Sequence, residues 1–319
     1  METIYLNETG LKIHRAGDHL LVKKEGKKHM TTPLADVSSV VVNTTVQFTT
    51  QALELFLEKG IDVIFMGPSG KIRGQLFPQK RNGVIVRLAQ YNCFFDEQKR
   101  KDLAKSIVSG KITNQIAVLC KYRWEPGQGA APEIEDMGKA LGCVGLSGSM
   151  EELMGYEGIS AKLYFEAFRR MLKRDDFQRR EYRPARDIVN SALNLGYAFL
   201  ANEAIISIRA VKLDEELGFL HSIHYGRNSL ALDLMEEFRA PFIDAWIAKL
   251  FNMKVLNDSD FDNAERSFFL NRQGYRKFCL EYNRHIADQM DWRQSFHRQA
   301  RKLRKSIVEG IAYEPFRYK

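Results

Sequence analysis

The chain has 319 residues, 45% hydrophobic and 28% charged, the make-up of an ordinary globular protein with room for two domains and a full core. No apolar run reaches the length of a membrane span, and the first residues lack the basic start and apolar middle of a secretory signal. A membrane helix is excluded on that ground, and the expected compartment is the cytoplasm. The net charge of +8 is uneven: residues 271–319 carry twelve Lys and Arg against five Asp and Glu, leaving the preceding chain close to neutral.

The first eighty or so residues read as β-rich. Ile4–Leu6, Leu11–His14 and Leu20–Lys23 are short strand candidates, and Glu25-Gly26 is a hairpin signal. Val37–Val42 is a further strand. Thr49-Thr50 then caps a helix whose apolar face, Ala52 to Leu57, stops at Gly60. Ile61–Met66 returns to a strand, and Gly67–Gly70 turns it into Ile72–Phe77. His14, His19 and His29 have no acidic companions at ligand spacing and read as surface histidines.

Pro78–Gly83 is polar, basic and turn-forming, and it marks the domain boundary: residues 1–83 form an N-terminal β-rich domain and residues 84–319 a larger helical one. Everything after it is helical in pattern. Apolar residues from Leu88 to Cys120 trace long amphipathic segments broken at Gly110, and Trp124–Pro132 is a loop. Gly127-Gln128-Gly129 follows no strand and lacks the rest of a nucleotide fingerprint. Glu157, between Gly155 and Gly158, reads as the opening of a strongly apolar helix, where negative charge is favoured. A long helix follows from residue 184 to 201, whose Asn190 and Asn194 are expected to fix neighbouring backbone. Cys93, Cys120, Cys143 and Cys279 are far apart with no CxxC pair, as reduced core residues would be.

Two basic runs suit a polyanion. One holds Arg169, Arg170, Arg179, Arg180, Arg183 and Arg186; the other, on a helical pattern in the tail, includes Arg298, Arg301 and Lys302. Ordinary solvated helix faces would look the same.

The chemistry concentrates between Gly218 and Arg239. Asn228 or Ser229 can cap a helix that carries Asp233 in its first turns and Glu236 on the same face, while His221 stands twelve residues upstream of Asp233 and can be turned back towards it. Imidazole with carboxylates suits Mn²⁺ or Zn²⁺, and carboxylate with water suits Mg²⁺. The plainer alternative is a hydrogen-bonded turn histidine, a cap-proximal acid and an exposed Glu236-Glu237 face paired with Arg239. Asp233 lies among Leu230, Leu232, Leu234 and Phe238, where an unpaired carboxylate is costly, so it needs a partner.

Gly155-Tyr-Glu157-Gly158, Asn190 to Tyr197, Gly218-Phe-Leu-His221 and Ser229 to Arg239, with Arg87–Tyr91 and the β-to-α order, together resemble the CRISPR-associated protein one family over essentially the full length. The resemblance implies an α+β fold, with an N-terminal β-sandwich-like dimerisation domain and a larger all-α catalytic domain that binds metal and DNA. It implies Glu157, His221 and Asp233 as catalytic ligands of Mg²⁺ or Mn²⁺. Glu236 matches a position where some members have a metal-binding acid and others a basic residue, and His224 competes with His221 for the ligand role. Phe238-Arg239-Ala240-Pro241 departs from a pattern in which Pro more often follows Arg directly.

The implied activity is that of a metal-dependent DNA endonuclease and integrase of CRISPR adaptation, which joins 3′-OH ends of short duplex DNA into the repeat array as new spacers. The implied partners are double-stranded DNA, a second copy of the chain and the small CRISPR-associated protein two. A transposon-encoded integrase of the same family and a non-catalytic DNA-binding scaffold are the alternatives.

Overall fold

The computed structural model describes residues 2–6, 8–35, 37–42, 44–67, 72–76, 83–124, 129–182, 184–265, 267–286 and 292–319. The chain divides into two compact units, Met1–Asn82 and Gly83–Lys319. Most of the turn read at Gly67–Gly70, most of the segment Pro78–Gly83, the centre of the loop Trp124–Pro132 and Arg183 lie outside the described residues.

The first unit contains β1 (Glu2–Leu6), β2 (Leu11–Ala16), β3 (His19–Lys24), β4 (Lys27–Pro33), β5 (Val37–Val42), β6 (Val46–Phe48), α1 (Thr50–Lys59), β7 (Asp62–Met66) and β8 (Ile72–Leu76). Two four-stranded sheets result, ordered β1-β5-β7-β8 and β4-β3-β2-β6. Glu25 and Gly26 join β3 to β4 with φ of 49° and 79°, the left-handed pair that a two-residue hairpin demands. Thr49 caps α1 by accepting from the Ala52 amide, and Gly60 ends it in the left-handed region at φ 74°. Alternate residues of both sheets, Ile13, Leu20, Val40 and Val63 among them, enclose Leu55 and Phe56 of α1 in one core. The short β6 carried too few residues to stand out in the sequence, and it pairs parallel to β2.

The second unit is built from α2 (Val84–Phe95), α3 (Glu97–Lys121), α4 (Ala131–Val144), α5 (Met150–Met171), α6 (Ile188–Ala210), α7 (Ser229–Phe238), α8 (Ala245–Asn252), α9 (Arg272–Ile286) and α10 (Trp292–Glu309). A π-helical turn, Arg239–Asp244, links α7 to α8. It contains Pro241, which lacks the N–H that α-helical pairing needs. Helix α6 is buried along most of its length and packs against α7, while α3 packs against α4, α5 and α7.

Four expectations change here. The second unit is not wholly helical, since β9 (Phe261–Ala264) and β10 (Ser267–Leu270) form an antiparallel hairpin. Helix α3 runs unbroken through Gly110, which serves packing instead: a Cβ there would stand 2.5 Å from Cβ of Pro315. Helix α5 starts at Met150 behind the Ser149 cap, so Glu157 projects from within the helix rather than from its N-terminus. Cys120 is exposed rather than core, and all four cysteines are free thiols. Among the described residues no helix is long and apolar enough to cross a membrane.

Candidate active site

The segment Gly218–His221 wraps over the start of α7 and is held there by one carboxylate. Asp233 Oδ2 accepts the amides of Phe219 (2.5 Å) and Leu220 (3.0 Å). Its Oδ1 accepts the amide of His221 at 2.9 Å and meets Nδ1 of the same residue at 2.7 Å. The side chain is fully buried, and these contacts answer the cost of burying it. Gly218 makes the approach possible, because a Cβ would lie 2.8 Å from the Ser229 carbonyl carbon and 2.9 Å from Asp233 Oδ2. Ser229 Oγ closes the loop by donating to the Ser222 carbonyl at 2.9 Å.

Both oxygens of Asp233, expected as a direct ligand, are engaged here by the loop amides and the imidazole. A carboxylate oxygen accepts, so Nδ1 of His221 is the donor in this contact and Nε2 is the ring nitrogen left facing away from Asp233. That Nε2 lies 3.9 Å from Glu236 Oε1.

Glu236, 4% exposed, is ringed by cations. Lys111 Nζ from α3 stands 2.7 Å from its Oε2, and Arg239 Nε lies 3.0 Å from its Oε1. Lys111 Nζ also pairs closely with Glu157 Oε1 from α5. Burial opposes ionisation of Glu236, yet Arg239, then Lys111 and His221, outweigh it and hold its carboxyl down at about 2. Burial would likewise discharge Lys111, but Glu236 and Glu157 reverse that and keep its ammonium above the usual lysine range. Two carboxylates from different helices thus converge on one cationic point beside an imidazole nitrogen. Among the described residues no three His, Cys, Asp or Glu side chains stand together as a ready-made ligand cluster, and here the carboxylates are closed on Lys111.

Residues 4–284 match the family model described as CRISPR associated protein Cas1. The chain belongs to the Cas1 family. Two CRISPR-associated endonucleases Cas1 of Thermus thermophilus are 29% and 31% identical to it, each over 98% of this chain and over 98% and 94% of their own lengths. Among solved structures, a Cas1 protein from Thermotoga maritima superposes with a TM-score of 0.83 at 23% identity, covering all of both chains. A casposase bound to integration product superposes at 0.82 and 23%, over all of this chain and 95% of the other. The Cas1 fold, a small β unit followed by a helical one, is what the residue pattern led us to expect.

Within this Cas1-family chain the basic residues take different positions. Arg169 and Arg170 line an open cleft of about 960 Å³ with Lys173 and Arg174, although Arg170 also pairs with Glu133 at 2.8 Å. Arg179 and Arg186 are exposed and pair with Glu181, and Arg298, Arg301 and Lys302 follow the surface side of α10. Arg180 is turned inward. It donates to Asn190 Oδ1 at 2.8 Å and Asn194 Oδ1 at 2.6 Å, and its guanidinium lies over the rings of Tyr182 and Tyr197. His224 is exposed and meets Ser222 Oγ at 3.1 Å.

Lys111 escaped notice in the sequence because a lone lysine in a long helix looks solvated. The signal was present: Lys111, Asn114 and Gln115 put polar groups on a helical face with buried Val108, Ile112 and Leu119, and such a cluster needs partners. Arg239 was legible only as a surface partner of Glu236, whereas here Glu236 is buried and the Arg239 side chain is 14% exposed.

Proposed function

We propose that this Cas1-family chain is a metal-dependent DNA integrase and endonuclease of CRISPR adaptation, and that Glu157, His221 through Nε2, and Glu236 hold its divalent ion. The single observation that carries the site is the convergence of Glu157 and Glu236 on one cationic point beside His221. Two carboxylate oxygens and an imidazole nitrogen suit Mg²⁺ or Mn²⁺. Such an ion lowers the pKa of an attacking hydroxyl and offsets charge growing on the phosphate.

Asp233 acts through His221. It sets the tautomer, aims the ring and fixes the backbone that carries it. Arg239 keeps Glu236 ionised and oriented within a buried setting. Arg169, Arg170, Arg298, Arg301 and Lys302 bind DNA backbone in this reading, with the incoming duplex end presenting its 3′-OH and the repeat array supplying the phosphodiester that is attacked. Curated relatives named as CRISPR-associated support this over a mobile-element integrase. The partners are double-stranded DNA, a second copy of the chain through its β unit, and the small CRISPR-associated protein two. Solved neighbours described as a Cas1–Cas2 complex and as bound to an integration product support the last and the first of these.

The test is strand transfer of a short 3′-OH duplex into a supercoiled repeat-containing plasmid, with Mn²⁺, Mg²⁺ or EDTA and with the small partner present. Joining that requires metal and disappears in Glu236→Gln, Glu157→Gln and His221→Ala supports the site. Undiminished joining by any of the three removes that residue from it. Retained DNA binding with no joining by the wild type would leave a scaffold.

A further inference from the structure

Lys111 is the one member of this constellation for which the proposed chemistry has no use, and its placement is costly. Its side chain is 12% exposed, and it spans two helices by pairing with Glu157 of α5 and Glu236 of α7. Without a cation between them, those two carboxylates would face each other in a poorly hydrated space and repel. The ammonium is a single charge on a flexible four-carbon stem, so it can satisfy both acids and also withdraw from them. Arg239 is not equivalent, since it touches Glu236 on the other oxygen and no contact joins it to Glu157 among those described.

We propose that Lys111 is a built-in counter-cation that competes with the divalent ion for Glu157 and Glu236, and so sets the metal affinity of the site. In the metal-free protein the lysine holds α3, α5 and α7 around the two carboxylates. When the ion binds, it takes over the same oxygens and the ammonium is released from them. No bond is made or broken; one cation replaces another. The inference rests on the metal site proposed above, and it assigns Lys111 a role in metal selection and loading rather than in contact with the reacting atoms.

The experiment is calorimetric titration of the full chain with Mn²⁺, together with thermal melts at rising Mn²⁺, for wild type, Lys111→Met, Lys111→Gln and Glu236→Gln. Removing the competing charge should tighten Mn²⁺ binding roughly tenfold or more in both lysine variants. Both should melt below wild type without metal and recover more on adding Mn²⁺ than wild type does. If Lys111→Met folds only when purified with Mn²⁺, that is the same exchange seen in its extreme form, and Lys111→Gln supplies the affinity. Equal or weaker Mn²⁺ binding in the lysine variants, with binding still lost in Glu236→Gln, overturns the competition and leaves the metal site standing. Absence of Mn²⁺ binding in every protein, wild type included, overturns both.

Discussion

Tyr313 Oη donates a 2.5 Å hydrogen bond to Glu237 Oε1, which ties the end of the chain to the helix that carries Glu236. The Phe316 amide donates to Oε2 of the same carboxylate at 2.5 Å, and Gln299 Nε2 adds a third contact at 3.1 Å. Asn114, on the face of α3 next to Lys111, accepts the Tyr318 amide and donates to the Phe316 and Glu237 carbonyls. Residues 313–318 therefore strap α3 to α7 at the two helical positions beside the ion pair. This strap lies beyond the stretch matched by the family model. Tyr313→Phe leaves a buried carboxylate oxygen short of its donor, so it should cost about 1–3 kcal/mol of stability in urea unfolding. Hydrogen exchange in α7 should quicken in the same variant.

Asp233→Asn should uncouple the loop without unfolding the unit. The amide keeps one acceptor oxygen and aims an NH₂ group at backbone N–H donors. Exchange at the amides of Phe219, Leu220 and His221 should rise sharply, and strand transfer should fall by at least the ten- to hundredfold typical of lost metal-site support. Slow exchange retained at those three amides would contradict the bracing role.

Gly218→Ala introduces a methyl group into backbone rather than into a yielding side chain. Its Cβ would stand 2.8 Å from the Ser229 carbonyl carbon and 2.9 Å from Ser229 Cβ. We expect a loss of about 1–3 kcal/mol, read from the denaturation midpoint, together with impaired joining from a displaced His221.

Asp244 gives a pH dependence with a definite sign. Burial raises its carboxyl to about 6 against an ordinary value of 3.8, despite the Tyr197 hydroxyl donating to it at 2.6 Å. A raised acid binds more protons folded than unfolded, so its stabilising contribution is complete below about pH 4 and is lost as pH rises through about 6. Asp244→Asn keeps an acceptor for Tyr197 and removes the titration. The melting temperature of wild type relative to this variant should therefore fall between about pH 4 and pH 7; a constant difference would show that Asp244 stays ionised throughout.

DNA binding should weaken steeply with salt. Arg169→Ala and Arg301→Ala, both at exposed positions, should each lower the slope of log affinity against log salt by about one and weaken binding alike on all sequences. Arg180→Ala should instead register as a stability loss, since its guanidinium is committed to Asn190 and Asn194.

Much of the architecture was legible because local chemistry dictates it. Glu25-Gly26 demands a hairpin, Thr49 and Gly60 bracket α1, and apolar period distinguishes the β unit from the helical one. The short β6 and the β9–β10 hairpin were not legible, because strands of three or four residues hold too little pattern and owe their existence to pairing partners. The glycines around Glu157 suggested a helix start, yet the Ser149 cap placed the start earlier and carried the helix through them.

The same division runs through the site. Residue types and spacing by themselves put Asp233 and Glu236 on one helical face and allowed His221 to turn back towards them, while leaving a turn histidine and an exposed Glu236 as the plainer alternative. They could not determine which carboxylate the loop grips. The fold shows that the amides of Phe219, Leu220 and His221 all donate to Asp233. Nor could they bring Lys111 to Glu157 and Glu236, residues 46 and 125 positions away along the chain. Only the packing of α3 against α5 and α7 does so, because contacts between helices are fixed by the buried faces they share and not by distance along the chain.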